Sequence, residues 1–414
     1  MVRLGRSFWF LWSSTASSNL ADGVLKVGAP LLAVSLTRSP TLVSLVGAAA
    51  TLPWLALALH AGAIADRADR RRVMVRANLA RAVILTAATT LAALGLLNLW
   101  LLLAAVLLAG VSEVFADLSA QSILPMAVSQ DDLTRANGRV STAQMIGNDF
   151  VGAPVAGLLV VSLPAVLFGA PALLYGVAGL LLLGMRGTYR LRAAAKRPIR
   201  ADIAEALRYL WSHRVLRALA ITAGLLNLAN AAYFAVFVLW VVGDGSAMGL
   251  GPGEYGLMTT AFAVGAVFGS LLAGRAAAMF GEFRTLVGNW LISSLLLLVP
   301  VIVPSAWTLY PTAVLWGLVG AAGNVLVIST RQRLIPAELL GRVNSAYRLV
   351  GMGGMPLGAA LGGVVAEFAG LGAVLVGATG VCLAAVGLVW RALSDQISGP
   401  LTCKPTLSDI SRSR

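Results

Sequence analysis

The segment Asn19-Leu20-Ala21-Asp22 returns later in this chain, with one change, as Asn227-Leu228-Ala229-Asn230. The two copies lie 208 residues apart in a chain of 414 residues, so the shift is close to half of the length. Both copies are embedded in long apolar runs. A polar pattern that repeats at this shift indicates that the chain is built from two related halves.

Three further pairs of segments follow in the same order and at nearly the same shift. They are Pro125 with Pro336 (211 residues apart), the Gly-Arg-Val triplets that begin at Gly138 and Gly341 (203 apart), and Pro154 with Pro356 (202 apart). The matches predict two parallel six-helix halves, related by a pseudo-two-fold axis along the membrane normal. This is an architecture of secondary transporters.

The composition is that of an integral membrane protein. Hydrophobic residues make up 58% of the chain, charged residues only 12%, and the mean hydropathy is +0.86. A soluble domain typically has roughly 25% charged residues. This chain therefore has too few charged side chains to form the water-facing surface of a soluble protein. The two cysteines, Cys382 and Cys403, do not indicate a disulfide framework.

Twelve apolar stretches reach the roughly 20 residues that a helix needs to cross a bilayer. The predicted fold is therefore an all-α membrane protein with twelve transmembrane helices in two parallel six-helix repeats. The predicted spans 1 to 12 lie near residues 8–36, 41–64, 73–97, 99–121, 139–162, 165–186, 216–242, 254–279, 284–303, 306–329, 340–367 and 371–393.

The net charge of +14 comes from basic residues that cluster in every second loop. By the positive-inside rule, these loops and both termini are cytoplasmic, which explains the charge without nucleic-acid binding. The run that follows Arg3 and Arg6 is too long for a cleaved signal peptide. The predicted division is an N-terminal bundle (1–186), a cytoplasmic basic linker (187–215), a C-terminal bundle (216–393) and a cytoplasmic tail (394–414).

Three motifs resemble signatures of the major facilitator superfamily and together place residues 8–393 within it. The loop between spans 2 and 3 reads GAIADRADRRR over residues 62–72 and resembles the signature loop of the superfamily. In span 5, Gly152-Ala153-Pro154-Val155-Ala156-Gly157 is similar to the antiporter motif of its drug–proton exporters, with alanine at 153 in place of glycine. The Asn-x-x-Asp-Gly pattern of residues 19–23 resembles the branch of the enterobactin exporter and macrolide efflux proteins.

Ionisable side chains inside the predicted spans are the candidates for proton coupling, because each costs about 2.5–3.5 kcal/mol at the centre of a helix. Asp22 lies four residues before Lys26 on the same face of span 1, so the two can pair. Glu113 in span 4 and Asp149 in span 5 have no cation on their own helix. Arg348 in span 11 is a candidate partner from the other half. The alternative is that all these groups form neutralised structural pairs.

The acids of the first half have neutral counterparts in the second. At the repeat shift, Asp22 corresponds to Asn230 and Glu113 to Asn324. This asymmetry favours a first half that carries the proton and a second half that mainly binds substrate. The candidate side chains of the substrate cavity are Asn19, Asn227, Asn230, Tyr233, Phe234 and Asn324.

The loop motif implies a gate at the cytoplasmic surface, formed by Gly62, Asp66, Arg70 and Asp117. We expect Asp66 at the positively charged N-terminus of span 11. Arg70, one turn further on, can reach both Asp66 and an acid of span 4, for which Asp117 is the candidate. Ala278 stands at the corresponding position of the second half, so this gate is one-sided.

The sequence predicts a secondary active transporter of the bacterial inner membrane rather than an enzyme. It contains no nucleotide-binding loop, no metal-ligand cluster and no nucleophile–base set, so no cofactor is expected. The predicted activity is proton-coupled efflux of small amphipathic molecules, drug-like or siderophore-like, by a monomer with small-molecule substrate, protons and bilayer as partners. The alternatives are an importer or uniporter of a small nutrient, in which the intramembrane acids are structural, and a non-transporting membrane receptor or scaffold.

The topology can be tested with single cysteines placed in the hydrophilic segments. We expect membrane-impermeant reagents to label the 187–215 linker and the tail after residue 394 only from the cytoplasmic side, and position 244 only from the outside. Labelling of the linker and the 243–253 loop from the same side would contradict the twelve-helix arrangement.

Overall fold

A computed structural model describes residues 5–129, 132–162, 165–190, 199–335 and 340–394. The predicted tail from 395 onward therefore lies outside the described residues. Within the described ranges, side chains are not described at Leu59, Gly62, Ala63, 65–67, 134–135, Asp149, Ser162, 199–203, Gln332, 340–342, Ser345 and Leu393.

The described chain is almost entirely helical. One π-helical segment, Ile146–Gly152, joins α5 to α6. The α-helices are α1 (Arg6–Leu36), α2 (Pro40–Arg67), α3 (Arg70–Ala93), α4 (Leu99–Ala127), α5 (Leu133–Met145), α6 (Ala153–Ser162), α7 (Val166–Leu183), α8 (Ile199–Ser212), α9 (Arg214–Val241), α10 (Pro252–Phe280), α11 (Glu282–Leu296), α12 (Val299–Ile302), α13 (Ala306–Leu334), α14 (Leu340–Ala369) and α15 (Leu371–Leu393).

The prediction of an all-α membrane protein with twelve transmembrane helices is confirmed. Eleven helical stretches of the described chain are long and apolar enough to cross a bilayer. The twelfth predicted span is α3, which has 24 residues and carries five arginines within 70–81 that lower its hydropathy. Predicted span 5 consists of α5, the π-helical segment and α6, and predicted span 9 consists of α11 and α12. Helix α8 lies within the basic linker.

The same packing scheme occurs in each half. In the first half, α1 packs against α7 and α6, and α2 packs against α4. In the second half, α9 packs against α15 and α14, and α10 packs against α13. Buried apolar side chains of α1, α7, α9 and α15 belong to one continuous core. The recurrence of these pairs is the structural counterpart of the internal sequence repeat.

The bundle has two ends, which we call the linker end and the far end. The linker end carries the start of α3, the end of α7 and α8, and the far end carries residues 37–39 and 243–251. Helices α2 and α14 pack side by side across the boundary between the halves, as do α6 and α10. These two helix pairs form most of that boundary.

Among the described residues, hydrogen bonds between the halves lie at the far end. The hydroxyl of Ser39 donates to Glu367 Oε2 over 2.8 Å, and Arg38 Nη1 donates to the carbonyl oxygen of Val242 over 3.2 Å. Nearby, an added Cβ at Gly256 of α10 would lie 2.7 Å from the carbonyl oxygen of Ala153, so the backbones of α6 and α10 touch. The halves are therefore held together at the far end.

Glycines allow α10 and α13 to approach at backbone distance within the second half. A Cβ at Gly317 of α13 would overlap the carbonyl oxygen of Phe262, and one at Gly265 of α10 would overlap that of Val314. Close approach at small residues is a common way for membrane helices to associate, because van der Waals packing replaces the missing hydrophobic driving force.

This contact predicts that Gly317→Ala destabilises the second half, while Gly320→Ala on the same helix does not. Nothing lies within 4 Å of a Cβ added at Gly320. Overpacking at Gly317 should cost about 1–3 kcal/mol and lower the thermal unfolding midpoint in detergent. Equal midpoints for the two variants would show that the α10–α13 contact can separate without cost.

Candidate functional site

A wholly buried arginine lies at the centre of the first half. Only 1% of the Arg81 side chain, on α3, is exposed. Its Nη1 lies 3.4 Å from Asp22 Oδ1 of α1, and its Nη2 lies 3.5 Å from Glu113 Oε2 of α4. Its Nε donates to the carbonyl oxygen of Ala109 over 3.3 Å. One guanidinium thus connects three helices.

Tyr175 of α7 adds a fourth helix to this arrangement. Its hydroxyl donates to Asp22 Oδ1 over 2.5 Å, and its ring centroid lies 4.7 Å from Arg81 Cζ. The side chain is itself buried. We call the group of Asp22, Arg81, Glu113, Asp117 and Tyr175 the charge cluster.

The pattern of α3 explains why Arg81 lies inside while its neighbours do not. The buried positions of α3 recur every three or four residues, so they form one face of the helix. Arg81 lies on that face between buried Asn78 and Leu85, whereas Arg71 and Arg72 lie outside it. Sequence analysis missed Arg81, although this period contains the signal that places it inside.

The charge cluster contains more acids than bases. Asp117 of α4 lies close enough to Arg81 and to Asp22 to interact with their charges. Two carboxylates therefore pair with one guanidinium, and a third interacts with it through its charge. The side chain of Asp22 stays 20% exposed and that of Glu113 34% exposed, so both acids remain partly accessible while Arg81 does not.

The partners of the acids differ from those expected. Lys26 is exposed, and the cation that pairs with Asp22 is Arg81. Glu113, which has no cation on its own helix, also pairs with Arg81 rather than with Arg348. Helix-by-helix reasoning could not find these pairs, because α1, α3 and α4 contribute one member each.

Arg348 of α14 approaches the charge cluster from the second half. Its Cζ lies 5.5 Å from the ring centroid of Trp54 on α2, and its charge acts on Asp117. The Trp54 side chain in turn lies close to the Glu113 carboxyl group. Trp54 therefore lies between the acids of one half and a cation of the other.

The antiporter-like motif begins at the end of the π-helical segment. A Cβ at Gly152 would lie 2.7 Å from Gly23 Cα of α1, and one at Gly157 would lie 2.6 Å from the carbonyl oxygen of Pro252 on α10. Pro154 follows at the start of α6, where its Cα faces Gly256. The motif thus touches α1 on one side and the other half on the opposite side.

Asp149 lies in the same π-helical segment, but its side chain lies outside the described residues. Its neighbour Asn148 donates from Nδ2 to Asn19 Oδ1 over 3.4 Å, and Asn19 Nδ2 donates to the carbonyl oxygen of Thr15. Asn19 is buried and joins α1 to the segment. Single π turns inside α-helices occur frequently at functional sites.

The gate residues are described only in part. The surroundings of Gly62 and the side chain of Asp66 lie outside the described residues. Arg70 is buried, and its Nη1 lies 2.9 Å from Met126 Sδ of α4. Asp117, a member of the charge cluster, interacts with the charges of both Arg81 and Arg348.

Arg71, next to the gate residue Arg70, contacts the end of α7. Its Nε donates to the carbonyl oxygen of Leu182 over 2.8 Å, and its Nη2 donates to that of Leu183 over 2.7 Å. These carbonyls belong to the last turn of α7, where a cation is favourable.

The candidate cavity residues of the second half have different environments. Asn227 Nδ2 donates to the carbonyl oxygen of Gly351 over 2.9 Å. Tyr233 is only 1% exposed, and its hydroxyl donates to the carbonyl oxygen of Leu297. Asn324 is exposed, and Asn230 Oδ1 is buried without a hydrogen-bond partner among the described residues.

An aromatic group on three helices of the second half was not expected. The rings of Phe234 on α9 and Phe262 on α10 each lie 4.8 Å from the ring of Trp316 on α13. Trp316 Nε1 is buried and has no hydrogen-bond partner in the part of the chain that the structure describes. Phe234 was a sequence candidate, and Trp316 and Phe262 were not, because their periodic spacing is equally typical of packing.

The repeat shift also gives Arg81 a neutral counterpart. A shift of 208 residues leads from Arg81 to Asn289 of α11, just as it leads from Asp22 to Asn230. Asn289 Nδ2 is buried, and no described residue accepts a hydrogen bond from it. Three members of the charge cluster thus correspond to asparagines, namely Asn230, Asn289 and Asn324.

The described residues contain no group of His, Cys, Asp and Glu side chains that could hold a metal ion. Cys382 is buried and free. The polar side chains described at the site are carboxylates, one guanidinium, amides and a tyrosine hydroxyl.

The ion pairs of Arg81 predict a large loss of stability in Arg81→Leu, because two acids would remain inside without a cation. Breaking a buried pair typically costs about 3–5 kcal/mol, and the lower value applies here because Glu113 is partly exposed. Adding Asp22→Asn and Glu113→Gln should restore most of the thermal stability. The control is Arg333→Leu, which breaks an exposed pair with Glu282. Equal losses in the two single variants would contradict a structural role of the cluster.

Comparisons with known proteins agree with this architecture. The family model described as "Transmembrane secretion effector" matches residues 5–397. The chain is 26% identical to the enterobactin exporter EntS of Citrobacter koseri over 388 residues, 89% of this chain and 85% of that protein. It is 24% identical to macrolide efflux protein A of Streptococcus pyogenes over 152 residues, which span 37% of each protein.

Among solved structures, a single-residue mutant of the nucleoside transporter NupG shares the fold, with a TM-score of 0.75, 13% identity, and coverage of 94% of this chain and 100% of that chain. The family match covers nearly the whole chain and agrees with the motif resemblance, so the recognised superfamily is confirmed and the protein is a transporter rather than an enzyme. The chain therefore belongs to the transmembrane secretion effector family, within the major facilitator superfamily of multi-pass membrane transporters.

Proposed function

We propose that this transporter exports small amphipathic molecules in exchange for protons, by alternating access of a site between its two halves. The observation that carries the proposal is the charge cluster, in which Asp22 and Glu113 pair with the buried guanidinium of Arg81 and the charge of Asp117 interacts with it. Ionisable groups at membrane depth are costly, and in transporters they mark ion and proton pathways.

The charge balance of the cluster supports proton binding. With Asp22, Glu113 and Asp117 all ionised, Arg81 leaves two negative charges uncompensated within the cluster. Each proton bound removes one of them, and the partly exposed Glu113 is the acid best able to exchange protons with the space around it. Asp149 remains a further candidate, because it lies in the π-helical segment that contacts α1.

The second half has the properties of a substrate-binding surface. At the positions that correspond to the charge cluster it carries asparagines, and Asn230 and Asn289 have polar atoms without partners among the described residues. The rings of Phe234 and Trp316 lie on α9 and α13 of the same half. Aromatic surface with a few hydrogen-bonding groups suits a molecule that is largely apolar with some polar groups. The names of the enterobactin exporter and macrolide efflux relatives agree with such a substrate.

Alternating access is supported by the contacts between the halves. Their polar contacts at the far end, such as Ser39 with Glu367, close that side. Opening it requires these contacts to break while new ones form at the linker end, where we place the gate of Gly62, Asp66, Arg70 and Asp117.

Trp54 and Arg348 meet at the boundary between the halves, so a rocking movement of one half against the other changes the surroundings of Glu113 and Asp117. This links the charge of the cluster to the orientation of the halves.

We place the linker end and both termini in the cytoplasm of a bacterial cell, with the protein in the inner membrane. The basic linker and loops support this orientation through the positive-inside rule. One chain contains both halves, so a monomer is sufficient for transport.

The competing proposal is an importer or uniporter with structural acids. The ion pairs of Arg81 favour it, because a neutralised pair inside a bundle can serve packing alone. The fold likeness to a nucleoside transporter also permits a nutrient as substrate. A proton-independent transporter and a proton-coupled exporter differ in their response to a pH gradient.

The first measurement is a thermal-shift screen of the purified protein against antibiotics, siderophores and sugars. A compound that stabilises the protein is then followed into everted vesicles with an acidic interior. We expect an exporter to concentrate it in the vesicles, and a uniporter only to equilibrate it. The absence of any concentration under the gradient would overturn proton-coupled export.

Glu113→Gln and Asp149→Asn identify the acid that carries the proton. The amide imitates a permanently protonated acid, so the responsible variant should bind substrate and exchange it for substrate, yet accumulate none above the level without a gradient. The control is Glu282→Gln, whose acid forms an exposed pair with Arg333. Full gradient-driven accumulation in both variants would leave Asp22 and Asp117 as the remaining candidates. Reduced expression together with reduced binding would indicate a packing role instead.

A further inference from the structure

A groove lies between α1 and α5 at the linker end, apart from the charge cluster. Its volume is about 440 Å³. Trp9 and Trp12 line it from α1, and Arg139, Thr142 and Ile146 line it from one face of α5 and the residue after it. The groove therefore has an apolar interior and one fixed cation.

The guanidinium of Arg139 lies on an aromatic surface. Its Cζ is 5.0 Å from the ring centroid of Trp9, which packs edge-on against Trp12 at 5.7 Å. Trp12 Nε1 donates to the carbonyl oxygen of Arg139 over 3.1 Å and so fixes α5 against α1. Among the described residues, no carboxylate lies within ion-pair distance of Arg139. Its charge is held in place without a neutralising partner from that part of the chain.

The groove lies beside the N-terminal turns of α1, a helix that is longer than the hydrocarbon core of a bilayer. Helix α1 has 31 residues and is about 46 Å long, whereas the hydrocarbon core is only about 30 Å thick. An untilted α1 therefore extends beyond the hydrocarbon at one end or both, and Trp9 lies in its first turn. Trp9 is 43% exposed, and Ile146, two turns beyond Arg139, is 49% exposed. Tryptophan is enriched at this level of membranes.

We propose that this groove binds an anionic phospholipid, with its phosphate at Arg139 and an acyl chain along Trp9 and Ile146. The arginine supplies several N–H donors to phosphate oxygens. Gly138 leaves the approach to Arg139 open, because nothing lies within 4 Å of a Cβ added there. A soluble phosphate would use only the cation, whereas a lipid also covers the exposed apolar side chains. Basic pockets between transmembrane helices are typical sites for such headgroups.

The test is native mass spectrometry of the purified full-length protein in detergent. The protein is offered an equimolar mixture of phosphatidylglycerol and phosphatidylcholine with identical acyl chains. We expect preferential retention of phosphatidylglycerol and an about fivefold lower retention in Arg139→Gln, the effect of one basic residue at an anionic lipid surface. Arg139→Lys should keep part of the preference, since it retains the charge and loses the planar fork.

The matched control is Arg275→Gln, which removes an exposed arginine of α10 from the same end of the bundle. Retention in this variant should equal that of the unmodified protein. Thermal unfolding in phosphatidylcholine alone verifies that each variant is folded. Equal losses in Arg139→Gln and Arg275→Gln, or equal retention of both lipids by the unmodified protein, would overturn the proposal. Binding of glycerol phosphate in competition with the lipid, at equal affinity, would show that the acyl chain contributes nothing and would overturn it as well.

Discussion

The first half depends on the compensation of one buried charge. A guanidinium inside a membrane bundle is strongly unfavourable unless carboxylates and carbonyl oxygens surround it. Arg81 meets this condition only when Asp22 of α1, Glu113 of α4 and Ala109 of α4 face it together. Tyr175 of α7 completes the shell. The requirement fixes four helices relative to one another more specifically than apolar packing, which tolerates rotation and sliding.

The second half uses the same helix pairs without that constraint. Amides stand at the corresponding positions, and glycines bring α10 and α13 into backbone contact. One fold therefore contains a half that is organised by charge and a half that is organised by close packing. This division fits the proposed roles, because proton binding needs titratable groups and recognition of an amphipathic molecule needs aromatic and neutral polar surface.

The contacts between the halves show how the two roles can be coupled. Gly152 touches α1, and Gly157 touches α10 of the other half, so one short segment spans both contacts. The π-helical turn before this segment departs from the regular hydrogen-bond pattern of an α-helix. Such a turn is a suitable site for a change in backbone conformation between α5 and α6. Trp54 is a second link between the halves, because it lies between Glu113 of the first half and Arg348 of the second.

The repeat, the spans and the superfamily could be predicted from the sequence, because hydropathy and spacing are properties of the chain itself. The intramembrane acids Asp22 and Glu113 were recognised in the same way, since a charge in an apolar run is visible without a structure. Their partner was not, and the local choice of Lys26 for Asp22 differed from the structure. Whether two groups on different helices meet depends on helix rotation and depth, which no single segment encodes. Only the packed bundle brings Arg81 between them. Only the bundle buries Tyr233 against Leu297 and leaves Asn230 Oδ1 without a partner among the described residues.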